Sequence, residues 1–125
     1  KSGALATSGI WDGFGIIVVG ANEQEMALAV NRVSELGGGV VLRGDRQFLA
    51  EIPLPIGGII SNLSIEEVAR ALQEIQEGMK TLGFRFPDAL MTLATLTTPA
   101  IPFLRISEHG LVNLKEAQVV RLVGS

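Results

Sequence analysis

A chain of 125 residues with 47 % hydrophobic and 18 % charged side chains is sized for one domain with a true core, and apolar enough that a partner or more of its own chain is expected to cover part of its surface. The net charge of −3, with no basic cluster, argues against nucleic acid as a partner. The absence of cysteine excludes disulfides and thiolate metal sites, one histidine is too few for a self-contained zinc site, and no apolar run approaches the roughly 20 residues of a membrane span.

The opening, KSGALATSG, lacks the apolar core of a signal peptide, so the protein reads as cytoplasmic. Small and apolar residues alternate almost at once, as in a piece of something longer. Gly3 to Ser8 suits a short strand, which Trp11 to Gly15 breaks. Ile16-Ile17-Val18-Val19 is a continuous β-branched run and predicts a strand buried on both faces. Asn22 then opens a helix, with Glu25 three residues on as a capping-box partner. Met26, Ala29, Val30, Val33 and Leu36 form its apolar stripe, and Gly37 stops it. Val40-Val41-Leu42 predicts the next strand, and Arg43-Gly44-Asp45-Arg46 a hairpin with Gly-Asp as its central pair. Phe48, Ala50 and Ile52 alternate on the return strand, Pro53-Leu54-Pro55 leads out of the ladder, and Gly57-Gly58 reads as a flexible loop.

Ser64-Ile65-Glu66-Glu67 is a capping box, and the helix it starts is the clearest element of the chain. Ile65, Val68, Leu72, Ile75, Met79 and Leu82 form a narrow apolar seam ended by Gly83, while Gly78 weakens the helix by about 1 kcal/mol relative to alanine. A short apolar helix is expected over Ala89 to Leu96, after which Pro99 and Pro102 force an irregular path. Leu104-Arg105-Ile106, Gly110-Leu111-Val112 and Gln118 to Val123 are short strand candidates, with a turn at Ser107-Glu108-His109-Gly110.

None of the chemical motifs is complete. Gly13-Phe14-Gly15 lacks the third glycine of a dinucleotide fingerprint, since Val18 stands there inside a strand, and a turn explains it better. The helix start at Asn22 could accept an anion, but Glu23 and Glu25 already place negative charge there. Asp12 is the one candidate catalytic acid or base, without a neighbour in sequence to tune it, and Asp before Gly commonly stabilises a turn. Trp11 and Phe14, in a chain with one tryptophan and five phenylalanines, form either a stacking surface or core. His109 suits an exposed turn, and Arg43-Gly44-Asp45 is a hairpin coincidence with an adhesion tripeptide. Taken alone, these residues give an α+β domain with a mixed β-sheet, two main helices and no autonomous catalytic constellation.

Three ordered segments carry a resemblance. The first runs from Ala4-Leu5-Ala6-Thr7 through Ile16-Ile17-Val18-Val19-Gly20-Ala21-Asn22. The second joins Met26 to Asn31 with Gly37 to Val41 and Pro53-Leu54-Pro55-Ile56-Gly57-Gly58. The third joins Met91-Thr92-Leu93 with Ile101-Pro102-Phe103-Leu104-Arg105-Ile106 and Gly110-Leu111-Val112. In this order they resemble the C-terminal domain of adenine deaminases, in the amidohydrolase superfamily. The resemblance implies that residues 1–125 are a single domain, the C-terminal part of a longer chain that hydrolyses adenine to hypoxanthine and ammonia. It implies a metal-binding barrel as partner in the same polypeptide, holding manganese, iron or zinc, with a metal-activated water attacking the purine. It also implies a homo-oligomer and no cofactor within this chain. Where the family reads Ala-His-Asp-Ser-His-Asn, this chain has Ile10-Trp11-Asp12-Gly13-Phe14-Gly15, keeping only the acid. Trp11, Asp12 and Phe14 are therefore the substrate-binding candidates, as a remodelled wall of a pocket completed elsewhere. The alternative is a free-standing binding or oligomerisation module derived from the same domain.

Overall fold

A computed structural model describes residues 3–12, 15–101 and 103–120. Gly13, Phe14, Pro102 and the Arg121–Val123 portion of the last expected strand lie outside the described residues. The described elements are β1 (Gly3–Thr7), β2 (Ile17–Gly20), α1 (Glu23–Glu35), β3 (Gly39–Gly44), β4 (Gln47–Pro53), α2 (Ile65–Leu82), α3 (Ala89–Leu96), β5 (Leu104–Ser107), β6 (Gly110–Asn113) and β7 (Gln118–Val120).

Four strands make the main sheet in the order β2-β1-β3-β4, and β5-β6-β7 form a second, smaller one. The α+β class holds, but in place of a mixed sheet every described ladder is antiparallel. The reason lies in β1. Both β2 and β3 pair antiparallel with it, so those two run parallel to each other with β1 inserted between them. The strand–helix–strand signal from Ile16 to Leu42 is therefore a split unit, whose crossover helix α1 spans an intervening strand.

Strand alternation puts a layer on each side of this sheet. Leu5, Val40, Leu42, Ala50 and Ile52 pack with Ile75 and Met79 of α2 and with Ala89 and Leu93 of α3. Ala4, Ala6 and Val41 pack with Ala29 and Val33 of α1. The strands buried along their whole length are β1 and β3. The Ile16–Val19 run, expected to be buried on both faces, is instead an edge strand with Val19 exposed, because β1 takes the central place.

The caps form where their local signals stand. Asn22 Oδ1 accepts the Glu25 N–H at 2.9 Å, Ser64 and Glu67 form the reciprocal capping box, and Gly83 closes α2 at φ 103°. The β3–β4 turn differs by one residue from the expected one. Asp45 and Arg46, at φ 51° and 69°, are its central pair, while Gly44 remains in the ladder opposite Gln47. Gly44 is needed for packing, since a Cβ there would stand 2.7 Å from Leu49 Cδ1 and 2.9 Å from Leu82 Cδ2. Gly78 likewise trades helix propensity for contact, as a Cβ there would run into Leu42 Cδ2. The seam of α2 is buried only at Ile75 and Met79, and Ile65 and Leu72 stand exposed.

Candidate functional site

The loop carrying Trp11 and Asp12 leaves the sheet where β1 ends, and three backbone segments meet there. Ser8 N–H donates to Gly39 O at 3.0 Å. The Ser8 hydroxyl accepts the Gly39 N–H at 2.8 Å and donates to Gly58 O at 2.6 Å. Gly38, at φ 123°, lets the segments touch, since a Cβ on it would sit 2.5 Å from Gly58 Cα and 2.6 Å from Leu54 O. Gly57-Gly58, read as a flexible loop, is thus held in a closed turn by Ser8 and by paired hydrogen bonds between Ile56 and Ile60. The Gly9 N–H bonds Thr7 Oγ1 at 2.9 Å and the Ile10 N–H bonds Ser8 O at 2.9 Å, which bends the chain toward Trp11.

From this base Trp11 and Asp12 line different depressions. Trp11 is 60 % exposed, which sets aside the core alternative for it. It lines a groove of about 240 Å³ between α2 and α3 with Leu72, Gln76, Leu90 and Met91. Asp12 lines a cleft of about 340 Å³ that also takes in Ile16, Thr97, Arg105 and Glu108. The structure therefore places Asp12 in one cleft with Arg105 and Glu108 of the β5–β6 hairpin, an association no local reading shows, since they lie more than ninety positions along the chain. Phe14 lies outside the described residues. His109 occupies the expected exposed turn, its Nε2 3.4 Å from Glu108 Oε1.

A second charged cluster went unseen in the sequence. Arg43 Nε donates to Glu25 Oε2 at 2.9 Å, and each side chain is only 6 % exposed. The Arg43 guanidinium stands 4.3 Å above the Phe48 ring, with that of Arg32 at 5.8 Å. Arg32 grips both oxygens of Glu51 at 2.9 Å and reaches Glu35 at 3.1 Å. Hydrogen bonds that it donates to Glu51 and then to Glu35 hold the Arg32 guanidinium above its ordinary pKa. Glu25 thus completes an ion pair inside the α1 layer, and Arg43 is unavailable to present an adhesion tripeptide. The visible clue was register, because Arg43 sits two residues after Val41 on the same inward face.

Among the described residues no group of three or more histidine, cysteine, aspartate or glutamate side chains could hold a metal ion. The metal implied by the resemblance therefore does not fit these residues. Among them, too, no helix is long and apolar enough to cross a membrane.

Comparison with known proteins bears on what these depressions belong to. The family model described as the adenine deaminase C-terminal domain matches residues 1–118. The chain is 43 % identical over 122 residues to an adenine deaminase of Kosmotoga olearia, covering 98 % of this chain and 21 % of that protein. Over 122 residues it is 41 % identical to the adenine deaminase of Archaeoglobus fulgidus, covering 98 % of this chain and 22 % of that one. With the adenine deaminase of Moorella thermoacetica the identity is 39 % over 123 residues, covering 98 % and 21 %. The chain spans about a fifth of the length of these curated relatives.

Proposed function

The chain belongs to the adenine deaminase C-terminal domain family, and on that premise we propose that it serves as the non-metal-binding domain of a purine-deaminating hydrolase. Residues 1–125 are then a single domain in the C-terminal part of a longer amidohydrolase chain. The supporting observation is identity of 43 % spread over 98 % of the chain with a protein about five times its length. The reaction assigned to the parent is conversion of adenine and water to hypoxanthine and ammonia. Manganese, iron or zinc would be held outside these 125 residues, in the barrel of the same polypeptide.

In this reading the Ser8–Gly58 lock fixes the root of the Trp11–Asp12 loop, and Trp11, Asp12 and Phe14 contribute to the wall of the parent's pocket, Trp11 and Asp12 from the two separate depressions they line. An exposed indole offers a flat face on which a purine can stack. Asp12 offers an acceptor for an exocyclic amine or ring N–H. The direct test is turnover of adenine by the parent chain supplied in turn with manganese, iron and zinc. Absence of ammonia release under all three would refute the proposed reaction. For the pocket wall, Trp11→Ala in the parent should raise KM about tenfold through lost base stacking. Unchanged KM and kcat in both Trp11→Ala and Asp12→Asn would remove the wall and leave the family membership standing. Whether the parent is a homo-oligomer is checked separately by sedimentation across a range of concentrations.

A further inference from the structure

Two arginine–glutamate pairs lie on the α1 face, and they are built differently. Arg32 engages both oxygens of Glu51 through Nε and one terminal nitrogen, each at 2.9 Å, in the fork geometry that satisfies a carboxylate fully. That pair is about one-third exposed, where water completes any bond left open. The Arg43–Glu25 pair is almost enclosed, each side chain 6 % exposed, yet it makes a single contact, Nε to Oε2 at 2.9 Å. Among the described residues the two terminal amino groups of Arg43 and the other oxygen of Glu25 have no hydrogen-bond partner. Polar groups are costly to bury unsatisfied, and here the deeper pair is the incomplete one.

The unused atoms are not sealed inside the protein. Both residues line a depression of about 730 Å³ at the amino end of α1, together with Leu28, Asp45 and Arg46. The Phe48 ring lies 4.3 Å from the Arg43 guanidinium. Stacking occupies a face of that group, whereas its hydrogen bonds run in the plane, so the terminal N–H edge stays available. The lining carries two positive and two negative groups, which complements a ligand of no net charge better than an anion.

We propose that this depression binds a small zwitterion, a free α-amino acid. Its carboxylate takes the terminal nitrogens of Arg43, whose parallel donors are spaced for two carboxylate oxygens. Its ammonium takes the open oxygen of Glu25, with Asp45 as a further acceptor on the exposed turn. Leu28 offers an apolar wall to the ligand's side chain. None of these residues lines the depressions of Trp11 or Asp12, so the site stands apart from the purine reading.

Equilibrium dialysis of the full parent chain with radiolabelled L-leucine and with glycine tests the proposal. Isocaproate and isopentylamine, which each keep one charge of leucine, are the competitors. The expected result is saturable binding of at least one of the amino acids at one site per chain, with each competitor at least about tenfold weaker than leucine or glycine. Absence of saturable binding of both amino acids in the millimolar range overturns the proposal. Isocaproate binding as tightly as the amino acids also overturns it, in favour of a simple carboxylate site. Arg43→Lys keeps the charge against Glu25 and loses the fork, and should weaken binding at least about tenfold. The double replacement Glu25→Leu with Arg43→Met should abolish it. Wild-type affinity in either folded variant overturns the proposal. Where neither folds, Asp45→Asn decides, since asparagine tolerates the positive φ of that exposed turn position. Its expected loss is about threefold, and unchanged affinity overturns the proposal. Adenine turnover does not enter these measurements, so their failure leaves the proposed reaction standing.

Discussion

The two faces of the main sheet are covered by different means. On the α1 side small residues, Ala4, Ala6 and Ala29, let the helix lie close, and the layer closes on charge, with Glu25 against Arg43 and Arg32 against Glu51. On the α2–α3 side large aliphatics fill the space, and the apolar stripe continues outward into exposure at Leu72 and Ile65. The first face pairs its charges within these residues, although Leu28 and Phe48 stay partly exposed there. The second is finished at its centre and unfinished at its rim.

Breaking the α1 face should have the largest effect. Glu25→Ala or Arg43→Ala leaves one buried charge uncompensated, and urea denaturation should show a loss of about 3–5 kcal/mol. The double replacement Glu25→Leu with Arg43→Met should recover most of that loss, since matched apolar groups can replace a buried pair at little cost. Failure of the double to recover would mean that the pair's geometry, including the stack on Phe48, matters more than neutralisation.

The other face should respond unevenly along one helix. Ile75→Ala removes a fully buried side chain and should cost about 2–5 kcal/mol. Ile65→Ala, ten positions earlier on the same seam, should fall within about 0.5 kcal/mol in the isolated domain. Equal losses at the two positions would contradict the contrast between centre and rim. Gly78→Ala should lie between them, at about 1–3 kcal/mol, although alanine is the better helix former. The added methyl would meet the fully buried side chain of Leu42.

The smallest effect belongs to the cap of α2. Ser64→Ala should cost about 1 kcal/mol of stability. The Ser64 backbone N–H, and then its hydroxyl, hold the Glu67 carboxyl below its ordinary pKa of 4.5. Its contribution is therefore complete above that ordinary value and is lost as pH falls through the lowered folded value. An acid titration of stability in the Glu67→Gln variant should lack this component, and an unaltered profile would place the acid sensitivity elsewhere.

Local signals carried most of the elements. Ser64 with Glu67, Asn22 before Glu25, and Gly83 after Leu82 each act within one helical turn, so sequence spacing displays them directly. Pairing between distant strands is not displayed in that way. The Ile16–Val19 composition suits a central strand, but position in a sheet is decided by which partners arrive, and β1 arrived between β2 and β3. The turn at Asp45-Arg46 slipped by one residue because Gly44 was required by its neighbours Leu49 and Leu82 more than by backbone freedom. The candidate site was legible as a loop and not as a place. Trp11 and Asp12 could be named, but the groove beside Leu72 and the cleft beside Arg105 and Glu108 are made by residues from α2, α3 and the small sheet.

The insertion of β1 has a mechanical side. A polypeptide entering at Gly3 feeds straight into the middle of the main sheet, with a ladder on each flank. Tension along that entry would shear both ladders together instead of unzipping one margin bond by bond. Motion in whatever precedes the strand would accordingly be passed to the four strands as a unit, and optical-tweezer pulling from residue 3 should meet a higher rupture force than pulling from the β4 margin.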